Sequence, residues 1–257
     1  MVLSDRWTEA QTKRALYLYF QLPFGQLHQR NPEIIALAQE LGRTPSSIAM
    51  KLANFASLDP KILESGRKGL SGASALDHKV WNEFHDDWTR IVIEVGSLQD
   101  ALPVAHDTNK VRDTPLSFFY EPPGGSTRRA EIDQRIGQNF FRRAVLANFD
   151  NTCCITGIDE SRLLVASHIS PWKDDISNRH NPRNGLCLSA TFDRAFDTYL
   201  MTVTPDLIVR LSSRLLTIGN PETRAYFAPY EGSKLRLPTH VALDSQLLGK
   251  HNAQLIN

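Results

Sequence analysis

Two closely spaced helix-capping signals constrain the N-terminal part of the chain more than any other local feature. In the stretch NPEIIALAQELGRTPSSIAMKLANFASL, Asn31 followed by Pro32 predicts the start of one helix, and Thr44 followed by Pro45 predicts the start of the next. Gly42 lies between them, at the position where a glycine commonly ends a helix. The stretch therefore predicts two short helices joined by a tight turn, an arrangement of the helix-turn-helix type.

The second of these helices has an apolar stripe that separates an inward face from an outward one. Ile48, Leu52 and Phe55 recur at helical spacing and should face the core. The outward face carries Ser46, Ser47, Met50, Lys51 and Asn54. If this face enters a DNA major groove, its candidate contacts are Ser46, Ser47, Lys51 and Asn54. A glycine-rich basic loop, SGRKGLSG at 65–72, follows and is a candidate phosphate contact. The alternative is a helical packing domain that does not touch DNA.

The bulk composition fits an ordinary foldable chain of one large or two smaller domains. The 257 residues carry a net charge of +1, so no global field favours nucleic acid, although a local basic patch would suffice. No apolar run approaches a membrane span and no secretory signal is visible, so we expect a cytoplasmic protein without a membrane partner. The three cysteines, Cys153, Cys154 and Cys187, form no CxxC pair, so no structural zinc is expected.

Composition divides the chain into three regions. A helical region, 1–95, precedes a stretch at 96–127 whose scattered prolines and Pro-Pro-Gly-Gly run indicate a linker. The region 128–257 opens with an arginine-rich amphipathic segment, in which Arg142 lies either on a solvated face or towards DNA phosphate. Two β-prone runs follow, CCITGI and LLVASHISPW, the second of which contains His168.

The stretch NGLCLSATFDRAFD predicts an Asn-Gly turn followed by a helix. Asp193 and Asp197 are four residues apart, which places both carboxylates on one face of that helix. Oxygen ligands suit hard divalent cations, so the pair is a candidate site for Mg²⁺, with Mn²⁺ as an alternative. Asp197 could instead cap the helix or form a bridge within the fold. Arg194 lies between the two aspartates and is a further candidate contact to DNA, with surface pairing as its alternative role.

These segments together resemble the HNH (ββα-metal) nuclease superfamily, and most closely its restriction-endonuclease-like branch. The resemblance rests on ASHISPW, NGLCL and DRAFD, in that order, with RIGQNFFRRAVLANFDNTCCITG as the lead-in. It covers about residues 128–210. It implies an α+β chain, with a helical helix-turn-helix-like N-terminal domain at 1–95 and a ββα-metal (HNH) nuclease domain at 128–257.

The resemblance also implies roles for individual residues. By position, His168 is the general base, Asn184 orients that histidine, and Asp193 is the metal ligand, with Asp197 as a second ligand. Two residues depart from the common pattern of the HNH superfamily. Asp193 occupies the position where a histidine is most frequent, and Ser167 occupies the position where an acidic or histidine metal ligand is frequent. The expected partner is double-stranded DNA, and a homodimer is compatible with one active site cutting one strand.

Three functional interpretations follow from the sequence. The first is a metal-dependent HNH endonuclease that hydrolyses DNA phosphodiesters in restriction or defence against foreign DNA. The second is a DNA-binding regulator that keeps a degenerate nuclease fold without activity. The third is an effector nuclease activated by a partner. Cleavage of DNA in the presence of a divalent cation separates the first interpretation from the second.

Overall fold

A computed structural model describes residues 6–100 and 128–256. In the first range, helices α1 (Glu9–Tyr19), α2 (Pro32–Leu41), α3 (Pro45–Ala56), α4 (Pro60–Glu64), α5 (Ala75–Asp86) and α6 (Trp88–Asp100) follow one another. Most of the sequence-predicted linker, 101–127, lies outside the described residues. None of the described helices is long and apolar enough to cross a membrane.

The predicted capping signals are confirmed. The Asn31 side chain accepts a hydrogen bond from the Glu33 amide at the start of α2, and Gly42 ends that helix with a φ of 63°. The Thr44 side chain accepts from the Ser47 amide at the start of α3. These local signals produce two helices joined at Gly42 and pack the α3 stripe of Ile48, Leu52 and Phe55 into the core.

The second described range begins with a long helix and continues into two small antiparallel sheets. Its elements are α7 (Arg128–Asn148), β1 (Leu164–His168), β2 (Gly185–Ser189), α8 (Ala190–Asp197), β3 (Met201–Val203), β4 (Val209–Leu211), a π-helical turn (Arg214–Ile218), α9 (Pro221–Phe227) and α10 (Ser245–Asn252). The order β1–β2–α8 is a ββα unit, and its helix carries Asp193 and Asp197 as the sequence predicts.

The pairing of β1 with β2 fixes which side chains face which helix. His168 pairs with Gly185, and a Cβ at Gly185 would meet the Phe141 ring of α7. Ser167 pairs with Leu186, and the Ser167 side chain lies beside Asp193 of α8. Since successive side chains of a strand point to opposite faces, α7 covers the His168 face and α8 covers the Ser167 face.

One predicted strand is wrong. The run CCITGI at 153–158 is a tight turn, in which the Cys153 amide donates to the Ile158 carbonyl and Gly157 has a φ of 78°. The strand that pairs with β1 is Gly185–Ser189, which sequence reasoning joined to the following helix. The β-prone residues of 153–158 still enter the core, because Cys153 and Cys154 are buried and the Cys154 amide bonds to the Cys187 carbonyl.

The helical region and the region that follows from residue 128 share a buried polar junction. His240 Nδ1 lies 3.2 Å from the Tyr19 hydroxyl, which donates to Asp59 at 2.8 Å. The Asn148 side chain holds the segment carrying His240 by accepting from its amide at 2.8 Å. Phe140 of α7 belongs to the core of the helical region. The two regions are therefore packed against one another through buried contacts.

Candidate active site

His168 lies at the end of β1 in an aromatic seat. Its ring stacks on Phe141, with centroids 3.8 Å apart and planes 6° apart, and it meets Trp172 edge to face, with centroids 5.6 Å apart. Its Nε2 is 3.0 Å from the Arg179 carbonyl oxygen. Because a carbonyl only accepts, Nε2 must carry the proton, and Nδ1 of the neutral ring then has a free lone pair.

The surroundings keep this imidazole neutral. Burial lowers the pKa of His168 to about 4, the hydrogen bond to the Arg179 carbonyl opposes that shift, and the charge of Arg179 adds to it. A neutral ring with a fixed tautomer is the form that accepts a proton. The end of β1 therefore presents a base whose orientation is set by a stack and a hydrogen bond.

Asn184 joins the two ends of the loop between β1 and β2. Its Oδ1 accepts from the Ser170 amide at 2.7 Å, and its Nδ2 donates to the carbonyls of Ser170 and Asn178, each at 3.2 Å. The side chain is fully buried. Arg179 follows Asn178 directly, so Asn184 fixes the loop whose carbonyl holds His168.

Asp193 and Asp197 lie on α8 close enough to influence each other. Burial raises the pKa of Asp193, whereas the Ser167 hydroxyl and Arg194 lower it. Asp197 reaches the surface, but partial burial of its carboxylate raises its pKa to about 6, and the negative charge of Asp193 adds to this effect. Two carboxylates that resist simultaneous ionisation form a site that a cation would stabilise.

The donor chemistry of this face fits a hard divalent cation. Besides the two carboxylates, the Ser167 hydroxyl is buried and has no hydrogen bond of ordinary geometry within the described residues. Oxygen donors of this kind suit Mg²⁺ or Mn²⁺. Within 6–100 and 128–256, no three His, Cys, Asp or Glu side chains converge into one metal-binding group. The protein would therefore supply few ligands and leave coordination positions for water and phosphate oxygens.

The structure does not bring His168 into the carboxylate cluster. His168 faces α7 and the aspartates lie on α8, so the two groups flank opposite faces of the β1–β2 ribbon. They can act on one substrate atom only at the end of β1, where the ribbon no longer separates them. A phosphate group lying across that end is the arrangement that would join them.

The two predicted arginine contacts have different surroundings. Arg142 donates to the carbonyls of Leu164 at 2.9 Å and Ser161 at 3.3 Å, so its guanidinium anchors the start of β1 to α7. Arg194 is exposed on α8, and its positive charge lowers the pKa of both aspartates. Arg194 thus lies near the carboxylates of Asp193 and Asp197, whereas the Arg142 guanidinium donates its hydrogen bonds to backbone carbonyls.

The prediction that Lys51 faces outward is wrong. Its side chain is buried, donates to Asp77 of α5 at 2.7 Å and lies 4.7 Å from the centre of the Trp7 ring. The apolar stripe of α3 is wide enough to carry position 51 into the interface with α5, where the long side chain reaches a buried carboxylate. Of the other candidates, Ser46 is exposed, and Ser47 and Asn54 are partly buried.

Sequence reasoning missed the residues that hold His168 in place. Phe141 and the Arg179 carbonyl fix the His168 ring. His180 packs between Trp172 and α7, and the centroids of the His180 and Trp172 rings are 5.2 Å apart. Burial lowers the pKa of His180 to about 4, and neither ring nitrogen has a hydrogen-bond partner in the described structure. No local sequence pattern predicts these contacts, because the residues meet only when the loop packs on α7.

The comparisons with known proteins bear on this ββα unit. Residues 153–204 match the HNH endonuclease family. This segment is therefore similar to HNH endonuclease domains. The matched segment contains β1, β2 and α8 together with His168, Asn184, Asp193 and Asp197. The resemblance to this family that the sequence predicts is therefore confirmed.

One solved structure among those that resemble the chain is described as "Modification dependent TagI restriction endonuclease". It shares 19% sequence identity with this protein, and the match covers 46% of this chain and 38% of that one, with a TM-score of 0.29. The aligned part is thus well under half of that structure. The comparison with curated proteins gave no match.

Proposed function

We propose that the protein is a metal-dependent endonuclease that hydrolyses phosphodiester bonds of double-stranded DNA. The observation that carries the proposal is the geometry at the end of β1. A neutral imidazole with one nitrogen held by a carbonyl lies on one face, and a pair of carboxylates with raised pKa values lies on the other. Phosphodiester hydrolysis needs a base for water and charge neutralisation at phosphorus. The resemblance to the HNH family implies that His168 supplies the base and Asp193 a metal ligand.

In this proposal His168 accepts the proton of the attacking water. Its Nδ1 takes the proton, the water oxygen forms a bond to phosphorus, and the bond from phosphorus to one ester oxygen breaks. The leaving oxygen is protonated from solvent. The phosphate anion beside the ring would stabilise the imidazolium form and bring its pKa towards the working pH. Phe141 and the Arg179 carbonyl keep the His168 ring in position, and Asn184 holds the loop that carries this carbonyl in its conformation.

Asp193 and Asp197 would hold the divalent cation, with Mg²⁺ the first choice and Mn²⁺ the second. When bound, the cation supplies charge neutralisation at the phosphate and stabilisation of the leaving oxygen. Arg194 is placed to contact a neighbouring phosphate, since it is exposed on the same helix. The helical region would add DNA contacts through Ser46 and Ser47, whereas the predicted contact Asn54 lies beneath the loop at 65–72. A role in restriction or defence against foreign DNA, and a cytoplasmic location, belong to the same proposal.

The test is incubation of supercoiled plasmid with the full chain in Mg²⁺, in Mn²⁺ and in EDTA. The proposal expects nicked or linear plasmid with either cation and none with EDTA. Asp193→Asn should abolish metal-dependent cleavage. Calorimetric titration of this variant should show weaker Mn²⁺ binding than that of the wild-type chain. Binding to DNA without cleavage under all three conditions would instead identify a DNA-binding regulator with an inactive nuclease fold.

A further inference from the structure

The outward surface of α3 carries one large exposed apolar side chain, Met50, as the sequence predicts. Met50 is 59% exposed and lies one helical turn after the exposed Ser46. Lys51 is buried, so it contributes nothing to this surface. Leu70, in the loop that follows α4, is 48% exposed. Because single exposed apolar residues are common, Met50 and Leu70 form one surface patch only if both lie on the same side of α3.

The loop at 65–72 anchors Leu70 to α3 one turn beyond Met50. The Leu70 amide donates to the Ala53 carbonyl at 3.1 Å, and Ala53 lies one turn after Met50 on the same face of α3. A Cβ at Gly69 would lie 2.5 Å from that same carbonyl oxygen, so only glycine lets the loop approach the helix this closely. We call Met50 and Leu70 the apolar ridge.

The loop also closes one end of the outward face. A Cβ at Gly72 would be 3.4 Å from Oδ1 of Asn54, so Asn54 lies beneath the loop. The first half of α3, from Ser46 to Met50, and the tip of the loop remain accessible. A groove partner would therefore meet the apolar ridge first, and not the centre of the helix.

The charges around the ridge favour a polyanion. Arg67 and Lys68 are exposed in the same loop, and Arg67 lies 5.3 Å from the centre of the Phe24 ring. Neither α3 nor the segment 65–72 contains an aspartate or a glutamate. Glu64, directly before this loop, is exposed and pairs with Lys61. Glu83 and Glu94 are grouped around Lys13 on α1. The ridge is thus an apolar strip flanked by cations.

We infer that the apolar ridge reads the C5-methyl group of thymine in the major groove of double-stranded DNA. This inference rests on the proposed function and names the base feature that the helical region would recognise. The thymine methyl is the one apolar group that a standard base presents in that groove, and apolar side chains contact it. Arg67 and Lys68 would contact the flanking phosphates, which set position and affinity without reading sequence.

The experiment measures DNA binding by the full chain in EDTA. Tightly bound 30-base-pair duplexes are selected from a random thymine-containing library and then remade with deoxyuridine in place of thymidine. Each contacted methyl that is removed should weaken binding about fourfold, the value of one buried methylene-sized group. Met50→Ala should lose most of this discrimination and bind both forms at similar, reduced affinity. Met50→Gln preserves side-chain length and should behave in the same way.

Two control variants distinguish methyl recognition from general effects. Ile218→Ala alters an apolar residue that is 73% exposed but lies in the nuclease region, so it should keep the discrimination. The double variant Arg67→Ala/Lys68→Ala should weaken binding to both duplexes alike. It should also reduce the salt dependence of binding by about one unit of slope for each phosphate that these side chains neutralise in the wild-type complex.

Three results would overturn the inference, and each points to a different alternative. Equal binding of thymine and deoxyuridine duplexes by the wild-type chain would reject methyl reading while leaving DNA binding intact. A preference that appears only when 5-methylcytosine replaces cytosine would assign the ridge to a modified base. A change of oligomeric mass in Met50→Ala, without a change in discrimination, would make the ridge an interface between copies of the chain. Absence of any DNA binding would reject the proposed function itself.

Discussion

A methyl group added at Gly137 tests whether the packing of His180 positions the candidate base. An ideal Cβ at Gly137 would lie 2.5 Å from Cε1 of His180 and closer still to its Nε2 and Cδ2. The ring has little room to withdraw, because it is 4% exposed and packed against Trp172. Overpacking of this kind costs about 1–3 kcal/mol. Alanine also gains about 1 kcal/mol over glycine from helix propensity, so the net effect of Gly137→Ala is a loss of about 0–2 kcal/mol.

Gly249 in α10 provides the matched control. It is also a helical glycine, but the nearest atom to its ideal Cβ is Cγ of Pro205 at 3.8 Å, an ordinary contact. Gly249→Ala should therefore show the propensity gain without the overlap. The stability difference between the two variants is then about 1–3 kcal/mol, or about 3–10 °C in Tm for a chain of this size.

The assays are thermal unfolding and plasmid nicking. Because the loop that carries His180 also carries the Arg179 carbonyl, Gly137→Ala should slow nicking more than its stability loss explains, and Gly249→Ala should not. The double variant Gly137→Ala/His180→Ala removes the overlap and should recover part of the lost stability. If Gly137→Ala is as stable and as active as Gly249→Ala, His180 is not fixed against α7, and the proposed positioning of the base through this loop is incorrect.

Three further predictions follow from buried charged and titratable groups. Burial lowers the pKa values of His180 and His251 from 6.5 to about 4. As the pH falls, these histidines are therefore protonated in the unfolded chain before they are protonated in the folded chain. The free energy of unfolding should be highest above pH 6.5 and should decline towards pH 4 by about 1.4 kcal/mol per pH unit for each histidine. His180→Leu should flatten that decline in pH-dependent urea unfolding, and an unchanged slope would contradict it. In the metal-free chain, NMR titration of His168 should give a pKa below 5, whereas a value near 6.5 would mean that the ring is solvated. Lys51→Ala leaves Asp77 buried without its partner and should cost about 3–5 kcal/mol in chemical denaturation; normal stability with a reduced salt dependence of DNA binding would instead place Lys51 on the outward face.

Local signals predicted the elements whose formation depends on nearby residues. The caps at Asn31 and Thr44 and the end of α2 at Gly42 were correct, because each depends on residues within one turn. The helix carrying Asp193 and Asp197 was correct for the same reason, since its apolar periodicity is complete within eight residues.

Features that depend on packing between distant segments were not predictable. The run at 153–158 has the composition of a strand, but the strand opposite β1 is Gly185–Ser189, and only the tertiary pairing decides between them. The apolar stripe of α3 predicts an outward Lys51, yet Asp77, 26 residues later, provides a buried partner. The seat of His168 on Phe141 likewise depends on two segments that meet only in the folded chain.

The central claim is that His168 supplies the base for DNA hydrolysis, and single-turnover cleavage of plasmid in Mg²⁺ tests it most directly. His168→Ala should slow cleavage by on the order of 10²-fold or more while the variant still binds DNA with nearly the affinity of the wild-type chain. His28→Ala, at an exposed position in the helical region, should cut at the wild-type rate. If purified His168→Ala cuts at the wild-type rate, the base assignment is contradicted, and the end of β1 is not the place where water is activated.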